Sequence, residues 1–360
     1  MRKSRVYVLQ AKADDPPDLL SEKVRVAYRA LGLQTKLEEA DFVGLKIHFG
    51  ERGNTGHIRP SWLRGLAADI AQKTARAFLT DTNTLYVGQR SNSVDHLRLA
   101  WSHGFRPEVV DLPVVIADGL IGRDKSEAPG RHGRVKAAKI ASGILAADAL
   151  LGLSHMTGHI QTGFGAAIKN LGMGCASRAG KLDQHSVVHP RVNPKRCRNC
   201  GLCFDFCPAE ALVQAEGHVL IDGKKCLGCG ECMVVCKHGA IRVGWDEDTR
   251  RVQEKVAEYA LLVREHFGAK IGFLNFLLKV TKDCDCMSTD QAAVVEDVGI
   301  LASDDAVAVD QASVDLVLEK SRGKDVFRAG YDLDWSVQLS HGEAIGLGRR
   351  TYDLVALKSP

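Results

Sequence analysis

The chain reads as an α/β protein in which a mostly parallel sheet with flanking helices is interrupted by a small inserted α+β unit. Three observations predict this. Over the first 190 residues, short apolar runs alternate with stretches of helical periodicity, the pattern of parallel strands joined by crossover helices. A dense cysteine block then breaks the alternation, bracketed by turn residues at Asn193-Pro194 and Gly244-Trp245. After the block, helix and strand patterns return. The expected organisation is therefore an α/β domain whose first part is 1–190 and whose second part is 246–360, with an inserted unit at 191–245.

The elements follow in order. Arg5–Leu9 is a short apolar strand, and Leu19–Leu31 has helical spacing at Leu20, Val24, Ala27, Tyr28 and Leu31, closed by Gly32. Phe42–His48 reads as a strand, followed by a Gly-rich loop and a helix opening at Pro60-Ser61-Trp62. Ala77–Leu79 is a strand leading into Asp81-Thr82-Asn83-Thr84, and a helix near Ser93–His103 ends at Gly104. Pro113–Ala117, Val135–Ile140 and Ala149–Leu153 are further strands. Beyond the cysteine block, Asp246–Phe267 reads as a charged helix, Ile271–Val280 and Val298–Leu301 as strands, and Asp305–Lys320 as a helix.

Composition excludes several classes of function. The 360 residues are 45% hydrophobic and 26% charged with a net charge of +4, too mild a balance for a nucleic-acid or membrane surface. Aromatic residues are few and no basic tract stands out. The apolar run Val6–Leu9 is too short for a signal peptide, and Ala260–Val280 is broken by Arg264, Glu265, His266 and Lys270.

The cysteine block carries the most specific chemistry. Cys197, Cys200, Cys203 and Cys207 are spaced Cys-x2-Cys-x2-Cys-x3-Cys, and Cys226, Cys229, Cys232 and Cys236 repeat that spacing. Three thiolates two residues apart wrap a tight loop around three corners of an iron–sulfur cubane, and the fourth reaches the other cluster. Cys197, Cys200, Cys203 and Cys236 are thus expected to hold one 4Fe–4S cluster, and Cys226, Cys229, Cys232 and Cys207 the second. Pro208 follows the first run, whereas Lys237 stands at the equivalent place after the second. A paired zinc site is the competing reading, and the doubled four-cysteine spacing argues against it. Clusters need reduced thiols, so a cytoplasmic setting is expected.

Reactive residue types also gather where the strands end, which is where open α/β sheets bind ligands. Lys46, His48, Glu51, Arg52, Asn54, His57 and Arg59 follow the Phe42 strand, and Asp81, Thr82 and Asn83 follow Ala77–Leu79. His155 and His159, then Lys169 and Asn170, follow Ala149–Leu153, while Asp283, Cys284, Asp285 and Cys286 follow Ile271–Val280. Taken singly, these have bland readings. Lys46 and His48 share one face of a strand and could line a site, but a solvated sheet end is the commoner reading. His155 and His159 have ligand spacing if helical, yet Thr157-Gly158 favours a loop. Cys284 and Cys286 suit a structural pair, an extra metal or a redox role, and Cys175 suits a small buried thiol. The run Gly158–Gly165 fails both the P-loop and the dinucleotide fingerprints, leaving only an anion cradle of backbone N–H groups beside Lys169.

Gly44–Glu51 with Asn54–Pro60, Thr80–Tyr86 with Asp95-His96, His155-x3-His159 through Lys169–Cys175, Asp283–Met287 and Asp297–Asp304 extend the pattern over nearly the full chain. With the cysteine block, these stretches resemble the iron–sulfur branch of the domain-of-unknown-function-362 family. The resemblance implies a two-cluster bacterial-type ferredoxin module inserted in an α/β domain, and it imports no reaction. It implies one composite site for the Lys46/His48, Asp81/Asn83, His155/His159 and Cys284/Cys286 groups.

Two functions fit. In the first, a redox partner protein exchanges electrons with the two clusters, which serve an oxidoreductase site of unknown substrate. There Lys46 and Lys169 bind an anionic group, and His48, His155 or His159 move protons or ligate metal. Cys284 and Cys286 hold a metal or relay electrons. In the second, the protein is a non-catalytic electron carrier or assembly factor whose α/β part docks a partner.

Overall fold

The fold is that of a computed structural model, which describes residues 3–86, 88–185, 190–207, 209–226, 231–242 and 248–360. Pro208, Cys229, Gly230 and the Gly244-Trp245 joint lie outside the described residues. The strands are β1 Ser4–Leu9, β2 Val43–Ile47, β3 Ala77–Asp81, β4 Val114–Ile116, β5 Lys125–Pro129, β6 Ala137–Ala141, β7 Ala149–His155, β8 Thr157–His159 and β9 Gly163–Gly165. They continue as β10 Arg191–Val192, β11 Leu212–Gln214, β12 Val219–Ile221, β13 Ile241–Arg242, β14 Ile271–Leu277, β15 Gly299–Ser303 and β16 Tyr352–Ala356.

Eight strands form one sheet in the order β16-β1-β15-β14-β7-β2-β3-β4. Only β15 runs against its neighbours, so the sheet is mostly parallel. Its centre is dictated by composition. β7 (ALLGLSH) and β14 (IGFLNFL) are apolar at both alternating sets of positions, which suits strands covered on both faces. Leu151, Leu153, Leu274 and Phe276 meet helices α1 (Pro17–Leu31) and α2 (Arg64–Ala71) on one face. Leu150, Ile271, Phe273 and Leu277 face the opposite layer. That layer holds α3 (Ala167–Gly172), α4 (Arg178–His185), α5 (Thr249–Phe267) and α6 (Ala306–Lys320).

Several expectations change. The helix opening at Pro60 begins as a 3-10 turn, Pro60–Leu63, before α2 takes over. The Val135–Ile140 run becomes β6, paired with β5 in a separate ribbon and not in the main sheet. β5 has exposed polar positions that a doubly covered strand could not hide. The expected charged helix is α5, and it is buried from Val252 to Val263. Its charges are tolerated because they are matched: Glu254 pairs with Arg134 at 2.6 Å, Glu258 accepts the Val135 N–H at 2.9 Å, and Lys255 donates to the Asp183 carbonyl at 2.8 Å. β16 went unread because Tyr352–Ala356 alternates without an apolar run, yet it completes the sheet beside β1.

The cysteine segment pairs its strands only with each other, β10 with β13 and β11 with β12. No described helix is long and apolar enough to cross a membrane.

Candidate functional site

At the carboxyl ends of β2, β3, β7 and β14 lies a cavity of about 820 Å³. It brings together Lys46, His48, His155, His159, Lys169, Cys284 and Cys286, residues that the chain keeps up to 240 positions apart. Four strands end here because they are parallel neighbours, so their following loops meet at one edge.

Lys46 is fully buried, and its ammonium lies 3.0 Å from Asp81 Oδ1 and donates to Asn170 Oδ1 at 2.7 Å. Burial opposes ionisation of Asp81, but Lys46 and His96 override it and hold the carboxyl well below its ordinary range. Arg90 crosses behind, with Nε 3.2 Å from Glu51 Oε2 and Nη1 3.7 Å from Asp81. Tyr86 donates its hydroxyl to Glu51 at 3.2 Å. Arg90, Tyr86 and Lys181 were not singled out from sequence as members of this site; a lone Arg and a lone Lys in ordinary helical or loop contexts carry no spacing signal.

The three histidines differ in chemical state. His48 Nδ1 accepts the Gly50 N–H at 3.0 Å, and burial together with Arg90 pushes its pKa well down. It is therefore a neutral ring with the proton on Nε2, a donor and not a metal ligand. His155 has both nitrogens committed, Nδ1 to Asp285 Oδ2 at 2.9 Å and Nε2 to the Leu278 carbonyl at 2.8 Å. Two acceptors require two N–H groups, so His155 is an imidazolium. Burial works against this, but Asp285 raises His155 and is itself lowered to about 2. The expected His155/His159 ligand pair is thereby corrected: the segment is extended, not helical, and His155 has no lone pair to offer. His159 Nδ1 sits 2.9 Å from Thr162 Oγ1, and that hydroxyl donates to the Phe164 carbonyl at 2.7 Å.

Lys169 projects from α3 and forms no ion pair among the described residues. Burial first, then Arg90 and Lys46, lower its pKa to about 8. Gly165 makes room for it, since a Cβ there would meet Lys169 Cδ at 2.9 Å. The backbone anion cradle does not form. Gly158–Gly165 is the β8–β9 hairpin, and the first amides of α3, Ala167 and Ile168, already donate to Asp310 at 2.8 and 2.9 Å. Cys175 is a buried thiol beside the Asn170 carbonyl, pushed up to about 12 by burial.

Cys284 and Cys286, read from sequence as a structural pair, extra metal ligands or a redox relay, are joined as a disulfide across Asp285. Their sulfurs and a ring nitrogen of His159 all lie within 4.8 Å of one another. Asp285 Oδ1 is buried with no hydrogen-bond partner.

Beside the cavity, the cysteine segment has internal two-fold character at an offset of 29 residues, the separation of Cys197 and Cys226. Asn193 accepts the Cys197 N–H at 3.0 Å, and Asp222 accepts that of Cys226 at 3.0 Å. The halves interlock reciprocally. Asn193 donates its N–H to Ala240 O at 2.7 Å, and Asp222 donates its own to Ala211 O at 2.7 Å. Val192 pairs with Ile241 as Leu212 pairs with Ile221. The fourth cysteines match as well: Ala211 N–H meets Cys207 Sγ at 3.2 Å, and Ala240 N–H meets Cys236 Sγ at 3.3 Å. Burial raises the Cys203 thiol, and so do its charged-form neighbours Cys236, Cys200 and Cys197. Seven of the eight cysteines are described and Cys229 is not; none of the seven is in a disulfide. Leu85, on the cavity wall, packs in one apolar cluster with Cys203, Cys232 and Met233.

Fold and site together define an α/β protein with a buried, charge-lined cavity at its strand ends and a cysteine-rich module against one wall. The model of the domain of unknown function (DUF362) matches residues 43–315, and the chain belongs to that family. No curated protein matches it. Among solved structures it is similar to the lactate racemase apoprotein from Thermoanaerobacterium thermosaccharolyticum, with 11% identity over 76% of this chain and 50% of that one, at a TM-score of 0.39. It is also similar to a protein from Thermotoga maritima, with 10% identity over 85% of this chain and 59% of that one, at a TM-score of 0.45. The chain thus spans between half and three-fifths of those two proteins.

Proposed function

We propose that residues 191–245 are a ferredoxin-type module holding two 4Fe–4S clusters, and that the protein passes electrons between a redox partner and the cavity in its α/β part. The observation that carries this is the reciprocal symmetry of the two cysteine runs, which sets Cys236 beside Cys197, Cys200 and Cys203. A cubane needs four thiolates, and in two-cluster ferredoxins the fourth comes from the other run, which the donor set here fits. Cys197, Cys200, Cys203 and Cys236 would hold one cluster, and Cys226, Cys229, Cys232 and Cys207 the other. Bound there, such clusters supply one-electron transfer.

The chain's own residues do the rest. Ala211 and Ala240 direct N–H groups at cluster-ligating sulfurs, which favours the reduced, more negative state. Leu85 and the apolar cluster around it keep water from the path to the cavity. In the cavity, Lys169 binds an anionic group, while the His48 Nε2–H donates a hydrogen bond to it.

The test is anaerobic purification with iron and acid-labile sulfide analysis, followed by electron paramagnetic resonance after dithionite reduction. About eight iron and eight sulfide per chain with a spin-coupled reduced signal are expected. Zinc without sulfide would overturn the reading.

A further inference from the structure

The strand-end loops carry a second metal-compatible donor set that the cluster reading does not use. We infer that His159, Cys284 and Cys286 form a mononuclear site for a divalent transition ion when the two cysteines are reduced. The inference does not rest on the iron–sulfur clusters.

Three observations converge. The His159 ring nitrogen and the two sulfurs already lie within 4.8 Å of one another, although the histidine is on β8 and the cysteines are more than 120 residues away. His159 and Cys284 are each 7% exposed, so little rearrangement in water is needed to gather them. His159 is also oriented from behind. Its Nδ1 is enclosed by Thr162 Oγ1 at 2.9 Å and by the N–H groups of Gln161 and Thr162 at 3.3 and 3.2 Å. The backbone contacts suit a proton on Nε2. With the proton on Nδ1, Thr162 Oγ1 receives it while donating to Phe164 O, and the Nε2 lone pair is released to a metal. Thr162 Oγ1 is the outer-sphere acceptor that a ligating histidine requires, and the two longer backbone contacts are given up in that tautomer.

Two thiolates and one imidazole leave a tetrahedral ion one open position, the arrangement of catalytic and not structural zinc. All three ligands line the cavity that also contains Lys169 and Gln161, so the open position is accessible to a small anionic ligand there. Asp283 and Lys282, on the same loop, are not in the cavity wall. The disulfide is the metal-free, oxidised form. Its reduction takes two electrons from a phosphine, which leaves as the phosphine oxide with an oxygen from water, and that water supplies the two thiol protons; the thiols then release those protons as the divalent ion binds.

Zinc is the probe, because its absorption edge is separate from that of iron. The full chain is treated anaerobically with a phosphine, loaded with zinc and desalted. X-ray absorption at the zinc edge is expected to give about one zinc per chain with two sulfurs near ~2.3 Å and nitrogen near ~2.0 Å. The double variant Cys284→Ser/Cys286→Ser is expected to lose this zinc, and His159→Gln to bind it at least tenfold more weakly. Zinc is also expected to protect Cys284 and Cys286 of the unmutated chain from iodoacetamide, read by peptide mass spectrometry, which needs no folded variant. Four-sulfur coordination, zinc retained by the double variant, or unprotected Cys284 and Cys286 in the loaded chain would overturn the proposal. Failure of the cluster reading would appear instead as missing iron and sulfide.

Discussion

Lys46 and Asp81 meet at 3.0 Å inside the protein, each at the carboxyl end of its own strand and each almost without solvent. β2 and β3 are adjacent and parallel, with Lys46 paired in register to Thr80, so the ion pair bridges the sheet edge that floors the cavity. Removing one member leaves the other charged and dry. Lys46→Met is expected to destabilise the fold by about 3 kcal/mol or more. Lys46→Met/Asp81→Asn should cost clearly less than the two single changes added together. Urea midpoints of the four proteins check this.

Asp310 sets the position of α3. It accepts N–H groups from Ala167 and Ile168 and from Asn275 Nδ2 at 2.7 Å, tying the start of α3 to β14 and α6. Asp310→Ala leaves the buried Ala167 and Ile168 amides without a partner and removes one of the two acceptors of Asn275 Nδ2, which keeps Ser313 Oγ at 3.1 Å, and should cost about 2–3 kcal/mol. Because α3 carries Lys169 and Asn170, the variant should also loosen the cavity, seen as faster amide exchange over residues 167–172.

Asp118 gives the stability a readable pH dependence. Its Oδ1 accepts from Asn83 N and Nδ2 at 2.9 and 2.8 Å, while Oδ2 is buried without a partner. Burial, against the pull of Lys181, raises its pKa to about 6. The folded protein therefore keeps this proton to higher pH than the unfolded chain does. The contribution to stability is full below the ordinary carboxylate value and is lost as pH rises through about 6. Asp118→Asn keeps the acceptor and removes the charge. It should raise stability at pH 8 by roughly 1–2 kcal/mol and have little effect near pH 4, measured as denaturant midpoints at both pH values.

The crossed cysteine assignment predicts which double variants compound. Cys236→Ser and Cys197→Ser strike the same cluster, so the pair should retain about four iron per chain. Cys236→Ser with Cys226→Ser strikes both and should retain about none. Iron content after anaerobic purification separates these outcomes. An uncrossed arrangement, with each run holding its own cluster, would reverse them.

The strands at the centre of the sheet were legible because their signal is local. Ala149–Leu153 and Ile271–Val280 are short runs apolar at successive positions, which suits a strand covered on both faces. The cysteine spacing was legible for the same reason, since ligand offsets are set by the chain itself. Edge strands β16 and β5 were not, because their patterns are those of any half-exposed segment, and the strand read at Val135–Ile140 gave no sign that it pairs outside the main sheet.

The linear chain by itself determined the central apolar strands, the doubled Cys-x2-Cys-x2-Cys-x3-Cys run, and the crowding of Lys, His, Asp and Cys just past strand ends. Only the tertiary structure decided what those side chains are. His155 is an imidazolium because Asp285 and the Leu278 carbonyl, both more than 120 residues away, occupy its two nitrogens. His48 is neutral because partial loss of hydration in the cavity wall and the neighbouring Arg90 both disfavour its charged form. Protonation state and ligand availability depend on which distant groups share a low-dielectric space, and that is information no spacing along a chain contains.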